Sequence, residues 1–404
     1  MRNILCNIIN PLSDQQAEFL PNQIISIEAD KIIAITPRKD FVGNELEDYS
    51  HCLALPGFID LHVHLSQYRM RGKFEPALLP WLEKHVFPEE ARSADQSYAT
   101  ELARMFYKAL YQAGTTFAVI YTAPFESACE AAFRVAAEMG VKALIGMTMM
   151  DMNTPVALLQ DSQQSLGTSI GLFERWHGQK PDLDYIFTPR FAPTCSFELM
   201  QRTGDYATRH KAWIQTHLSE NTSEIAWVKE LFGFDSYTEV YAEAGLLTER
   251  SLFGHAIHLN DRELGLLKAA DAKIAHCPDS NFFLKSGEFP LSRIEEIGLE
   301  YGLGSDVGAG TTLSMLYHAK QMNYRQGLFP VSPAKALYHI TLGSAKLLGM
   351  ENQIGSLQPG KAADLLLFST PPGFDPGPDS LSQLIFFASE FPVEEVIVNG
   401  KSRL

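Results

Sequence analysis

The clearest chemical signal in the chain is a pair of histidines one residue apart, His62 and His64 in Asp60-Leu61-His62-Val63-His64. Strand side chains alternate between faces, so both imidazoles point the same way and can share one metal ion. Alone, HxH is a weak pattern that chance produces readily. Its weight comes from His217, His255 and Asp306, each at the end of a further apolar run. His217 stands in Thr216-His217-Leu218-Ser219-Glu220, where Glu220 falls just past the expected strand end, within reach of metal-bound water. A divalent zinc lowers the pKa of its water toward ~7, and a nearby glutamate can take that proton and hand it to a substrate. Asp306, in Gly304-Ser305-Asp306-Val307-Gly308, is a hard oxygen ligand with small neighbours that leave room above it. Each residue alone would usually be a structural His or Asp; together they point to a hydrolytic metal site. His276-Cys277 imitates a metal pair, but adjacent strand residues face opposite ways. Asn281, expected to close the seventh run, reads as a residue that steadies a polar group.

These residues need a scaffold that brings distant segments to one place. Eight compact apolar runs recur: Gly57 to Leu65, Thr115 to Ala123, Lys142 to Asp151, Tyr185 to Pro193, Ala212 to Glu220, Ser251 to Leu259, Lys273 to Asn281 and Tyr301 to Gly310. Stretches with helical spacing separate them, among them Ala94 to Gln112, Ser127 to Met139 and Asp261 to Ala270. This alternation predicts an α/β fold, a (β/α)8 TIM barrel, whose functional groups gather at the C-terminal strand ends. Both chain ends instead show short alternating strands and an Asn399-Gly400 hairpin signal. The expected domains are therefore a small β-sandwich from residues 1–55 and 356–404 and a barrel over 56–355. The long, apolar connection from Leu65 to Arg92 reads as a lid over the mouth.

Composition narrows the function class. The chain has 404 residues, of which 46% are hydrophobic and 20% charged, enough for a sizeable core. Its net charge of -15 repels phosphate backbones and anionic lipid, arguing against nucleic acid or a membrane surface as partner. Five scattered cysteines without a CxxC argue against a disulfide framework and fit a reducing cytoplasm. The N-terminal apolar run is too short and polar for a signal peptide, and no segment is long and apolar enough to span a bilayer.

The segment Pro56-Gly57-Phe58-Ile59-Asp60-Leu61-His62-Val63-His64 resembles the opening signature of the amidohydrolase superfamily. Ser66-Gln67-Tyr68, Leu79-Pro80-Trp81-Leu82, Thr188-Pro189-Arg190-Phe191, His217-Leu218-Ser219-Glu220, Ala275 to Asn281 and Gly304-Ser305-Asp306-Val307 look like its guanine deaminase family, over about residues 55 to 360. The resemblance implies one Zn2+ per chain bound by His62, His64, His217 and Asp306, with iron as the alternative ion. The fourth run lacks the lysine that binuclear relatives use as a bridge. It further implies hydrolysis of guanine by water to xanthine and ammonia, with Glu220, His255 and Asp306 catalytic. Gln67, Trp81, Arg190 and Phe191 would contact the purine, beside His217, Glu220 and Asp306. Gln67 offers a donor and an acceptor, Arg190 a planar donor fork, and the aromatics a stacking face. A homodimer is the expected assembly. The nearest rival is a deaminase or hydrolase of another heteroaromatic ring, such as 8-oxoguanine, a pterin or a triazine. The remote rival is a non-catalytic scaffold barrel, which would be free to lose ligands or Glu220; none is missing.

Overall fold

In the computed structural model, which describes residues 1–43 and 45–404, each of the eight apolar runs overlaps one strand of a single sheet. Four strands precede it, β1 (Arg2–Pro11), β2 (Ala17–Glu28), β3 (Lys31–Pro37) and β4 (Glu47–Pro56). The sheet itself comprises β5 (Phe58–His64), β6 (Thr115–Thr122), β7 (Lys142–Met149), β8 (Leu183–Pro189), β9 (Trp213–Leu218), β10 (Ser251–His255), β11 (Lys273–His276) and β12 (Glu300–Leu303), in sequential order. Its pairings β7·β8, β8·β9, β9·β10, β10·β11 and β11·β12 are parallel. Every residue of β5, β6 and β7 is buried, as expected where helices cover one face and packed side chains the other. Backbone bonds from Asp306 N–H to His62 O (2.7 Å) and from His64 N–H to Val307 O (2.7 Å) tie the segment after β12 to β5. The architecture is the expected (β/α)8 barrel, and these bonds set Asp306 beside the HxH pair.

Several strands stop short of their apolar runs. The run to Asn281 ends its strand at His276, because Pro278 opens a helix, Pro278–Phe283, that carries Asn281. Asn281 is thus helical and not the close of a strand. The run to Leu259 ends at His255, where His255 and Ala256 adopt φ of 69° and 51° and turn the chain away. The connection after β5 is helical, in short turns at Leu65–Met70, Leu78–Trp81, Leu82–Val86 and Phe87–Ala91. Met70, Leu78, Trp81, Leu82, Val86 and Phe87 bury against Met150, Phe191, Leu284 and Ala309. This apolar packing, not loop character, fixes the segment.

The termini, with β13 (Leu365–Ser369), β14 (Val393–Val398) and β15 (Lys401–Ser402), form one hydrogen-bonded sheet of seven strands in the order β15-β14-β13-β4-β1-β2-β3. Ile4, Ile8, Ile25, Ile32, Leu365 and Ile397 share one core, and the expected β-sandwich is a single sheet. Asn399 and Gly400, at φ 51° and 72°, make the two-residue hairpin between β14 and β15. The chain divides into two compact units, one of Met1–Asp60, Lys108–Phe117 and Leu313–Leu404 and one of Leu61–Tyr107 and Ala118–Thr312. Every residue assigned above to the site lies in the second unit. Among the described residues no helix is long and apolar enough to cross a membrane.

Candidate metal and catalytic site

Four ligand atoms meet at the barrel mouth. His64 Nε2 lies 3.2 Å from His62 Nε2, 3.3 Å from His217 Nε2 and 3.1 Å from Asp306 Oδ1, and His62 Nε2 is 3.3 Å from the same oxygen. A tetrahedron with metal–ligand bonds of about 2.0–2.1 Å has edges of roughly 3.3 Å, so the spacing suits zinc. His255 also falls within the wider group, its ligand atom within 4.8 Å of those of His62, His217 and Asp306. Its Nε2 stands farther off, 3.8 Å from Asp306 Oδ2 and 3.5 Å from Glu220 Oε2. The tighter quartet could hold one ion, with His255 as its neighbour.

The surrounding chain orients each imidazole. Arg190 O accepts from His217 Nδ1 at 2.7 Å, which leaves the Nε2 lone pair for a metal. Asn281 Oδ1 accepts from His255 Nδ1 at 2.9 Å and aims His255 Nε2 at Glu220 and Asp306; that buried Nε2 has no hydrogen-bond partner among the described residues. Tyr121 from β6 lies under three rings, its centroid 4.8, 4.5 and 5.0 Å from those of His62, His64 and His217. Gly254 and Gly304 make room for His62, since a Cβ on either would stand 2.6 Å from it. Ser219, His255, Ala256 and Asp306 all have left-handed backbones, at φ 47°, 69°, 51° and 49°. Such strain concentrates where side chains must be aimed at chemistry.

Electrostatics follow from burial among like and unlike charges. Burial drives the His217 imidazole well below its ordinary range, with His62, His64 and His255 adding to the effect. Burial likewise lowers His62 to about 4, against the pull of Asp306. Both are then neutral, as metal ligands must be. Burial alone would raise Asp306, but hydrogen bonds from His62 and His64 and the charge of His255 hold it well below the carboxylate range. Burial raises Glu220, only partly offset by His255, which suits a group that takes up and releases a proton. For His255, burial is outweighed by Glu220 and Asp306, so its pKa rises. Glu220 Oε1 accepts from Ser286 Oγ at 3.1 Å. Its backbone N–H donates to Glu224, the capping-box residue of the helix Thr222–Phe232.

A small cavity opens over the quartet. His64, His217, Glu220, His255 and Asp306 form its polar floor, and Gln67, Trp81, Arg190 and Phe191 line it with Leu78, Leu82, Leu284 and Ala309. Every sequence-predicted site residue except His62 therefore faces one cavity, and His62 lies beneath it against His64. Sequence reasoning missed Tyr121, Gly254, Ser286 and Glu90. Glu90 is buried and bonded to both Gln67 and Arg190, at 2.9 and 2.7 Å.

A model of the amidohydrolase family matches residues 53–403. The guanine deaminase of Escherichia coli (strain K12) is 38% identical over 358 residues, 87% of this chain and 80% of that protein. The structure of E. coli guanine deaminase superposes with a TM-score of 0.95 at 32% identity, covering 100% of this chain and 99% of that one. The crystal structure of C. acetobutylicum guanine deaminase with guanine bound in its active site gives a TM-score of 0.93 at 28% identity, covering 99% of each chain. The chain belongs to the amidohydrolase family.

Proposed function

We infer that the protein is a guanine deaminase, converting guanine and water to xanthine and ammonia. The observation that carries this reading is one small cavity lined by His64, His217, Asp306 and Glu220 together with Gln67 and Arg190. Its likeness to guanine deaminases over most of the chain supports the same substrate. His62, His64, His217 and Asp306 would hold one zinc per chain, with iron as the alternative ion. Such an ion supplies Lewis acidity that makes water nucleophilic near neutral pH.

The protein's own groups do the rest. Glu220 takes a proton from the attacking water and delivers it to the ring nitrogen beside the carbon that bears the exocyclic amine. His255 Nε2, 3.5 Å from Glu220 Oε2 and 3.8 Å from Asp306 Oδ2, orients the attacking oxygen and offsets negative charge as the carbon becomes tetrahedral. The second proton, from the hydroxyl now on that carbon, passes by way of Glu220 to the amine, which leaves as ammonia while the carbon keeps the water's oxygen as a carbonyl. Arg190 donates to the ring carbonyl, Gln67 reads the neighbouring edge, and Phe191, Trp81, Leu78 and Leu82 cover the ring and exclude water. All five cysteines are buried and none is in a disulfide, which supports a cytoplasmic enzyme of purine breakdown; the assembly is taken as a homodimer. Purified protein offered guanine, 8-oxoguanine, adenine, cytosine and guanosine separately in an ultraviolet assay is expected to consume guanine fastest and release one ammonia per xanthine. Faster turnover of another ring, or none of guanine, would reassign the substrate.

A further inference from the structure

Glu90 is 1% exposed and takes no part in the chemistry just described, yet it contacts both groups that face the substrate's edge. Its Oε1 accepts from Gln67 Nε2 at 2.9 Å and from Ser66 Oγ at 3.3 Å, and its Oε2 accepts from Arg190 Nη1 at 2.7 Å. The chain places it there by a short helical turn, Phe87–Ala91, whose Phe87 packs under Arg190 with the guanidinium carbon 5.4 Å from the ring centroid. A carboxylate is acceptor-only, so it dictates which end of the Gln67 amide turns toward it. The NH2 end faces Glu90, and the carbonyl end becomes the acceptor available to a ligand. Arg190, anchored through Nη1, keeps its remaining N–H donors for the cavity it lines. Gripping both groups on the two oxygens of one carboxylate makes that donor and that acceptor neighbours. Neighbouring donor and acceptor are the complement of a lactam, a ring C=O beside a ring N–H.

Resting on the guanine reading above, we propose that Glu90 is a positioning residue that fixes the polarity of the Gln67 amide and the aim of Arg190, and thereby restricts the enzyme to rings with a lactam edge. Glu90→Gln replaces the acceptor-only group by an amide that can both donate and accept. The Gln67 amide is then free to reverse, and Arg190 loses its counter-charge.

The test compares wild type, Glu90→Gln, Glu90→Asp, Arg190→Ala and the Glu90→Gln/Arg190→Ala double variant. It reads KM and kcat for guanine, and Ki for 2-aminopurine, which has the same ring system without the carbonyl. Wild type that does not deaminate guanine would refute the substrate assignment and not the role of Glu90. Given turnover, Glu90→Gln is expected to raise the guanine KM by about 10- to 100-fold, the usual effect of removing the partner that orients a binding group. The 2-aminopurine Ki should move by less than about threefold, and in the Arg190→Ala background, where only the contact to Gln67 remains, Glu90→Gln should raise the guanine KM by less than it does in wild type. Glu90→Asp, which keeps the charge on a shorter arm, should give a smaller rise with the same divergence, and carries the test if Glu90→Gln does not fold. An unchanged guanine KM, equal shifts in KM and Ki, or additive effects with Arg190→Ala would overturn the proposal.

Discussion

Gly254→Ala adds one methyl group to β10, and the structure says where it must go. The new Cβ would stand 2.6 Å from His62 Cε1 and 2.9 Å from Nδ1. Carbon atoms pack favourably at about 3.5–4.0 Å, so the imidazole has to retreat by roughly 1 Å. It has little room, because a Cβ at Gly304 would already be 2.6 Å from His62 Cβ on another side. Metal sites tolerate departures of only about 0.2 Å in ligand distance, so a ring displaced this far no longer completes the quartet. The expected loss is at least about 10- to 100-fold in metal affinity, with kcat/KM falling by about 100-fold for a misplacement of this size. The measurement is metal content by mass spectrometry after dialysis against a weak chelator, with circular dichroism to check the fold. Gly265→Ala is the control: it lies in the helix Asp261–Ala269, and its Cβ would meet nothing within 4 Å. Stoichiometric metal and full activity in Gly254→Ala would refute the claim that this glycine clears the space for His62.

Other substitutions separate binding, proton transfer and stability. Glu220→Gln should keep its metal and lose about 10²- to 10⁴-fold in kcat, the usual worth of a positioned acid/base; near-normal turnover would remove Glu220 from proton transfer. Arg190→Ala should impair guanine use far more than metal content, and unchanged kinetics would mean the ring edge is read elsewhere. Glu224 is pushed up to about 7, by burial first and the Glu220 charge second. A carboxyl with a raised folded-state pKa stabilises fully below its unfolded value and loses that contribution as pH rises through about 7. Glu224→Gln should therefore gain in Tm relative to wild type between pH 5 and 8.5, and a constant difference would contradict the shift.

The barrel and the cluster of His62, His64, His217 and Asp306 were legible because they depend on local patterns. Buried parallel strands read as unbroken apolar runs, and His62 and His64 share a face by the strand's period of two. The strand ends were not legible to the residue. His255 and Asp306 leave their strands through left-handed backbones that no apolar count reveals, and Pro278 starts a helix inside a run. The helical nature of the connection after β5 was encoded in Leu78, Trp81, Leu82, Val86 and Phe87, whose spacing is that of a helix face. Glu90 and Tyr121 could not be assigned from sequence. Glu90 reads as one more acidic residue in Pro88-Glu89-Glu90, and only the fold sets it between Gln67 and Arg190, 23 and 100 residues away. Tyr121 reads as core, and only barrel closure puts it beneath the imidazoles.

The most direct measurement is a metal titration of the stripped protein, with bound zinc and guanine turnover followed in the same samples. Activity should rise in proportion to bound metal and stop rising at one ion per chain, with no turnover in metal-free protein. Full turnover without metal, or activity that appears only as a second ion binds, would contradict a single ion held by His62, His64, His217 and Asp306.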